Sequence, residues 1–444
     1  MTHHLYNLLL TLLLILLIPY FLLRSLVQRD FRKGLAERMG FLPNLSGERP
    51  IWVHAASVGE VFCSVPLLKR IKREFPSREI VLTTMTPTGN QAAKRHVLEA
   101  DHVFLLPMDH PFTIQRAIRR VEPSLLLIAE TELWPNLLFF FGKKGIPIIL
   151  FNGRISRNSF RRYLRFKFFF RECLKPISLF LMQTEEDRAR IIEIGAPSEK
   201  TAVMGNLKFD QTFPPVTQEE VVEMGKSLGL RGEENVLIAG STHTGEEEIL
   251  LSLYKELRGG DPDLVLILAP RHLNRLDEVE KLLKREEILY MRKTSLSFAK
   301  GRSNQEERSP QVILLDTMGE LMRLYSLGTL IFIGGSLVPV GGHNPLEPLF
   351  FSRCVLFGPH MFNFSEIARS LTEAGGAIQV EGRKDLSYHV KRLLSDERAR
   401  NEVGERGHQF LERHRGAADR IFRKIRPFLL PMRNAEYGIR NLKF

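Results

Sequence analysis

From residue 51 to residue 357 the chain alternates short apolar, β-rich runs with amphipathic stretches of helical period, and few folds accommodate that alternation. The runs lie at 51–53, 80–84, 102–106, 125–129, 146–150, 179–183 and 201–204, then at 235–239, 264–269, 311–315, 329–333 and 355–357. Strands apolar throughout and separated by helix-length segments are buried on both faces, which predicts parallel sheets with helices on either side. The 444 residues are enough for two or three such domains. Residues 205–216 carry Pro214 and Pro215 and lack periodicity, so a boundary falls there. The pattern predicts an α/β chain of two Rossmann-like, doubly wound domains with a cleft between them. Residues 1–26 would be a transmembrane anchor, 27–212 the first domain and 213–417 the second. Residues 418–444 would be a C-terminal helix, over 418–430, and tail returning to the first domain. In such sheets ligands sit beyond the carboxyl ends of the strands, so the loops there are the place to look for a site.

The anchor rests on 5–23, where 19 positions carry no charge and most are Leu. As a helix this spans about 28 Å, close to the ~30 Å of a bilayer's hydrocarbon. A signal peptide fits less well, because the first four residues hold no Lys or Arg and no small-residue cleavage site follows. A buried core helix fits less well too, because no polar face recurs. Arg24, Arg29, Arg32, Lys33 and Arg38 follow at once, and positive flanks stay in the cytoplasm. The expectation is a single-pass anchor with the body on the cytoplasmic side.

Lys and Arg number 63 against 51 Asp and Glu, a net charge of +12, which implies an anionic partner: nucleic acid, membrane headgroups or a phosphorylated substrate. Cys63, Cys173 and Cys354 lie too far apart in sequence for a disulfide framework or a zinc site. Four strand-end loops place a capping residue three positions ahead of a Glu: Ser57 and Glu60, Thr244 and Glu247, Thr317 and Glu320, Asn344 and Glu347. Each glutamate therefore has two readings, a helix cap or a site residue. Helix starts beside Gly-rich turns expose amides that suit phosphate or carboxylate. The run from Gly334 to Gly342 lacks both the Lys-Ser/Thr of a phosphate loop and a dinucleotide fingerprint, so ATP hydrolysis and NAD chemistry are disfavoured. Arg271, in Ala269-Pro270-Arg271-His272, is placed to clamp a phosphate or carboxylate, or is a surface Arg. In Glu130-Thr131-Glu132-Leu133-Trp134-Pro135-Asn136 two acids abut a buried strand, as site residues or as decoration of a helix start. Residues 154–171, RISRNSFRRYLRFKFFFR, mix Arg with six aromatics, as suits a helix on an anionic membrane surface; nucleic acid and plain packing are the alternatives.

The ordered motifs RPIWVHAASVGEV, ETELWPN, GNLKFD, PRH, DTMGEL and GGSLVPVGGHNPLEP resemble the family of 3-deoxy-D-manno-octulosonic acid (Kdo) transferases, from Gly34 to about Ser370. Met39 and Gly153 stand where the family more usually has Phe and Ala, and neither falls on a residue assigned to chemistry. The resemblance implies a membrane-associated glycosyltransferase of the GT-B fold. It would move Kdo from CMP-Kdo to lipid IVA, a lipid A precursor, in lipopolysaccharide assembly at the inner membrane. It implies an inverting displacement with Glu60 as general base, and Glu130 and Lys208 stabilising the transition state. CMP would be held by Pro270, Arg271, Met318, Gly319, Glu320, Asn344, Pro345, Leu346 and Glu347.

No metal and no cofactor are expected, since CMP is a monophosphate leaving group and no Asp-x-Asp pair is offered. His243, His272, His343 and His360 lack metal-ligand spacing. Nucleic acid drops out as a partner, and the oligomeric state stays open. A membrane-tethered transferase for another activated sugar, or a non-catalytic nucleotide-sugar binder, is the alternative. Residues 300–309 are expected to form a polar surface loop.

Overall fold

In a computed structural model of the chain, residues 2–27, 34–45, 48–212, 215–298 and 311–430 are described, with side chains of the first helix described from 3 to 17. The chain divides into two compact units, Met1–Thr212 with His414–Phe444, and Phe213–Arg413. The second unit thus closes at Arg413, where the sequence pattern places 417.

The first unit holds seven parallel strands: β1 (Ile51–His54), β2 (Ile80–Thr84), β3 (His102–Leu105), β4 (Leu125–Ala129), β5 (Ile148–Gly153), β6 (Leu179–Met182) and β7 (Thr201–Val203). Their order is β3-β2-β1-β4-β5-β6-β7, all pairs parallel. Successive residues of a strand point to opposite faces. Ile51 and Val53 accordingly join one buried cluster and Trp52 the other. The helix Ala417–Leu429 covers the first of these faces with Ile421, Phe422, Ile425 and Leu429. Asp210 fixes where that helix starts, its carboxylate accepting from the amides of Gly416 at 2.6 Å and of Ala418.

The second unit repeats the plan with β8 (Val236–Thr242), β9 (Val265–Pro270), β10 (Tyr290–Arg292), β11 (Val312–Leu314), β12 (Leu330–Ile333), β13 (Cys354–Phe357) and β14 (Ile378–Gln379). The order is β10-β11-β9-β8-β12-β13-β14, again parallel. The chain is therefore an α/β protein with two parallel sheets of seven strands, a GT-B-like plan. The direction of winding reverses between β1 and β4 in the first unit and between β8 and β12 in the second. Those reversals open a crevice at the carboxyl ends of the strands.

A helix runs over Thr2–Val27. Among the described residues no helix is long and apolar enough to cross a membrane. The side chains of Arg24, Arg29, Arg32 and Lys33 lie outside the described residues, as do the 300–309 loop, Pro214 and the tail from 431. Arg38 is no free flank: its guanidinium donates to the Met85 carbonyl at 2.8 Å. Residues 154–171 form two short helices, Arg157–Arg165 and Lys167–Leu174, rather than one.

Candidate active site

In the first unit the loops after β1 and β4 flank the winding reversal. Ser57 caps the helix Val58–Glu74, its hydroxyl oxygen accepting from the Glu60 amide at 3.4 Å. The Glu60 carboxylate turns back, accepting from the Ala56 amide and the Ser57 hydroxyl, each at 2.8 Å. The capping reading of Glu60 is therefore real, and it orients the carboxylate at the end of β1. Burial pushes the Glu60 carboxyl up to about 7, and the charge of Glu130 pushes the same way. Such a group ionises near neutral pH, as a general base requires.

Glu130 leaves β4 with a left-handed backbone, φ 53°, and donates its amide to the Phe151 carbonyl at 2.9 Å. A left-handed non-glycine is strained, and such strain clusters where a loop must aim a side chain. Burial raises its carboxyl, opposed by the charges of Lys208 and Arg154. Lys208 sits on the 3₁₀ turn Leu207–Asp210, which Asn206 and Asn152 hold by accepting the amides of Lys208 at 2.9 Å and Leu207 at 3.0 Å. Glu60, Glu130 and Lys208, about 150 residues apart from first to last in sequence, thus share one electrostatic neighbourhood.

Two further residues at these strand ends carry no role assigned from sequence, although Glu132 is weighed there with Glu130. Glu132 accepts from the Trp134 indole at 3.0 Å, and its charge acts on Glu60. Its signal was present in the doubled acid of ETELWPN. His54 is fully buried at the end of β1 with Nδ1 against Thr83 and Nε2 without a hydrogen-bond partner. A lone histidine in an apolar run carries no signal.

In the second unit three of the expected caps are corrected. The helix Glu246–Arg258 is capped at Gly245, one residue beyond Thr244, with Glu248 rather than Glu247 reaching back. Glu247 instead pairs with Arg275 at 2.9 Å and accepts from the Thr242 hydroxyl at 2.9 Å, a buried structural bridge. Thr317 donates to the Glu320 carboxylate, and the helix Leu321–Leu324 starts only after Glu320. Asn344 opens no α-helix: its side chain accepts the Leu346 amide at 3.1 Å, and the turn Pro348–Phe351 that follows is 3₁₀.

The glycine-rich run is also not a vacant anion cradle. The fully buried Glu246 carboxylate accepts from the amides of Gly335 at 2.6 Å, Ser336 at 2.9 Å, Leu337 at 2.9 Å and His243 at 3.0 Å. The protein fills that nest with its own anion. Gly334 is required there, because a Cβ would meet the Ser241 carbonyl at 2.4 Å.

The remaining expected residues lie on adjacent strand ends. Pro270 ends β9, and Arg271 donates its amide to the Thr242 carbonyl at 3.0 Å, tying that loop to β8. The charge of Arg271 reaches both Glu347 and His343. Burial pushes the Glu347 carboxyl up to about 7, against a hydrogen bond from Asn344. Leu346 is buried and serves as core, with Pro345 buried beside it. Met318 is 62% exposed, and Gly319, at φ +86°, faces open space. Burial raises the Glu320 carboxyl, but Lys293 at 2.6 Å and Thr317 outweigh it and hold it low. Lys293 was missed because the short strand before it has no apolar run. His243 and His343 meet Nε2 to Nε2 at 2.8 Å with rings stacked, one nitrogen donating to the other.

Residues 33–211 match the family described as 3-deoxy-D-manno-octulosonic-acid transferase (kdotransferase). A 3-deoxy-D-manno-octulosonic acid transferase of Haemophilus influenzae is 38% identical over 412 residues, 92% of this chain and 94% of that one. One from Chlamydophila psittaci is 32% identical, covering 93% of each chain. A UDP-GlcNAc 2-epimerase of Neisseria meningitidis shares the fold at TM-score 0.54 and 12% identity, over 88% of this chain and 98% of that one. The sequence relatives span nearly the whole length, through both winding reversals. This chain belongs to the 3-deoxy-D-manno-octulosonic acid transferase family and is a glycosyltransferase.

Proposed function

We propose that the protein transfers Kdo from CMP-Kdo to a hydroxyl of lipid IVA, in lipopolysaccharide assembly at the cytoplasmic face of the inner membrane. The observation that carries this reading is the Glu60 carboxylate at the winding reversal of the first unit, aimed by Ala56 and Ser57 and pushed to about 7. In the reaction Glu60 takes the proton of the acceptor hydroxyl as its oxygen attacks the anomeric carbon of Kdo. The bond from that carbon to the CMP phosphate breaks, and its electron pair leaves with the phosphate, inverting the centre. Glu130, beside the charge of Lys208, meets the positive charge that develops on the sugar. Arg271 counters the phosphate, so the displacement runs on the chain's own charges without a metal.

The second unit would hold the cytidine nucleotide through Pro270, Arg271, the 318–320 loop and the 344–347 loop. Pro345 and Leu346 would act there by shaping the backbone, since Leu346 is buried. The family relatives support Kdo as the transferred sugar, in that they are named for it. The N-terminal helix would hold the protein at the membrane where its lipid acceptor resides.

Purified protein incubated with CMP-Kdo and lipid IVA, with product read by mass spectrometry, tests this reading. A mass gain of one or more Kdo units is expected from the wild type and is lost in Glu60→Gln. No adduct from the wild type, or full activity in the variant, overturns it.

A further inference from the structure

The first helix is inside out. Between residues 3 and 17 four of its five polar side chains, His3, Tyr6, Asn7 and Thr11, fall on one face, which corrects the expectation that no polar face recurs; that face lies against the first unit, and of the five only His4 is exposed. The Tyr6 hydroxyl donates to the Asp109 carboxylate at 2.9 Å, and the Asn136 amide donates to the Asn7 side-chain oxygen at 2.7 Å. Thr11 Oγ1 meets His110 Nε2 at 3.3 Å, and His3 stacks on Phe139 at 4.0 Å. The opposite face is aliphatic: Leu5, Leu8, Leu9, Leu12, Leu13, Ile15 and Leu16 are each at least 50% exposed. A helix that turns all but the first-turn His4 of its polar groups inward and its leucines outward is matched to an apolar solvent, not to water.

Asp109 is the hub of the attachment. Besides Tyr6 it accepts from the amides of Asn136 at 3.0 Å and Leu137 at 2.8 Å, capping the helix Pro135–Lys143 that follows the Glu130–Trp134 loop. The far side of the segment is also tied to the same unit, because Glu37 accepts the Leu105 amide at 2.6 Å and Arg38 bonds Met85. A spanning helix would carry one end across ~30 Å of hydrocarbon. This helix has both its first turns and the chain that follows it fastened to one unit.

We propose that the N-terminal helix lies in the plane of the bilayer, latched to the first unit through Tyr6, Asn7 and Thr11, with its leucine face in the acyl boundary. Charge complementarity selects a membrane as the occupant of that face. Tyr6 adjoins Phe169 at 5.8 Å, so the helix borders the basic segment whose helix Arg157–Arg165 buries no residue, beside Phe166 and Phe168, 53% and 64% exposed. Leucines beside arginines and exposed aromatics match acyl chains beside anionic headgroups. The latch also runs through Asn136, the last residue of the motif that bears Glu130 and Glu132. It therefore holds the acceptor-side carboxylates at the surface from which a lipid acceptor arrives.

The full-length protein in native membranes tests the proposal, since Cys63, Cys173 and Cys354 are buried. Thr11→Cys with His110→Cys, treated with a short bifunctional thiol reagent, is expected to yield the linked peptide by mass spectrometry. His4→Cys is expected to resist an impermeant maleimide outside intact spheroplasts and to react in inverted vesicles. A fluorophore on Leu12→Cys is expected to be quenched by brominated acyl chains. Labelling of His4→Cys from outside, or absence of the linked peptide, would show a spanning helix and overturn the proposal. Chain-to-chain linkage through Leu12→Cys without quenching would show a second copy on the leucine face and overturn it equally. Turnover of detergent-dispersed acceptor is read in parallel; its loss in the wild type counts against the transferase reading, not against the helix placement.

Discussion

Glu60 serves two ends that oppose each other. Its carboxylate closes a helix cap, yet burial holds the group at about 7 instead of its ordinary 4.5. Between those values the folded chain binds a proton that the unfolded chain has released. The contribution to stability is therefore full below 4.5 and is lost as pH rises through about 7. Glu60→Gln removes that loss, and above pH 7 the variant should be more stable than the wild type by about 1–3 kcal/mol, read from denaturant midpoints at pH 5 and pH 8. The same substitution should lower turnover about 10²–10⁴-fold. In the wild type kcat/KM should climb as pH passes about 7, because only the ionised carboxylate accepts the hydroxyl proton. A flat profile with unchanged product would place the base elsewhere. At Glu246 burial also raises the carboxyl, but there the group meets four backbone amides and is structural. Glu246→Gln offers one acceptor oxygen and an added donor to those amides, so it should destabilise the second unit by about 2–4 kcal/mol, measured by urea unfolding.

The helix Ala417–Leu429 depends on a residue 207 positions upstream of its first, since Asp210 accepts the amides of Gly416 and Ala418. Asp210→Asn leaves one of those amides facing a donor, which should cost about 1–3 kcal/mol. Hydrogen exchange should then quicken across 417–429 before it quickens in β1, and unchanged protection there would refute the capping role. Elements of this kind mark how far sequence carries. Twelve of the described strands are visible as apolar runs because both faces of a parallel sheet are buried. The strands at Tyr290–Arg292 and Ile378–Gln379, at the edges of the second sheet, are not: neither holds a buried residue, and Gln379 is exposed. Capping-box spacing located the turn at Ser57 correctly, whereas at Thr244 a left-handed Gly245 took the cap instead. Spacing identifies candidates for a cap, and backbone handedness decides among them. The neighbourhood of Glu60, Glu130 and Lys208 was legible only through family motifs, because nothing local in sequence shows that β1, β4 and the turn after β7 converge.

Over the whole chain the surplus of +12 is not spread evenly. In the helix Arg157–Arg165 the residues Arg161, Arg162 and Arg165 stand beside no buried position, while its neighbours Phe160, Tyr163 and Leu164 pack partly against the core. The aromatics fasten this segment, so its cations are held out to solvent by packing rather than by chance. Each cation near an anionic surface contributes about 1 kcal/mol, so replacing these three with Ser should weaken partition onto anionic vesicles about 100-fold at low salt. The deficit should shrink as ionic strength rises and the Debye length falls toward about 3 Å at 1 M. Binding to uncharged vesicles should be unaltered, since there the leucine face of the first helix acts alone. A deficit that persisted at 1 M salt would mean the substitutions had loosened the packing of Phe160 and Tyr163, and that the segment contributes fold rather than charge.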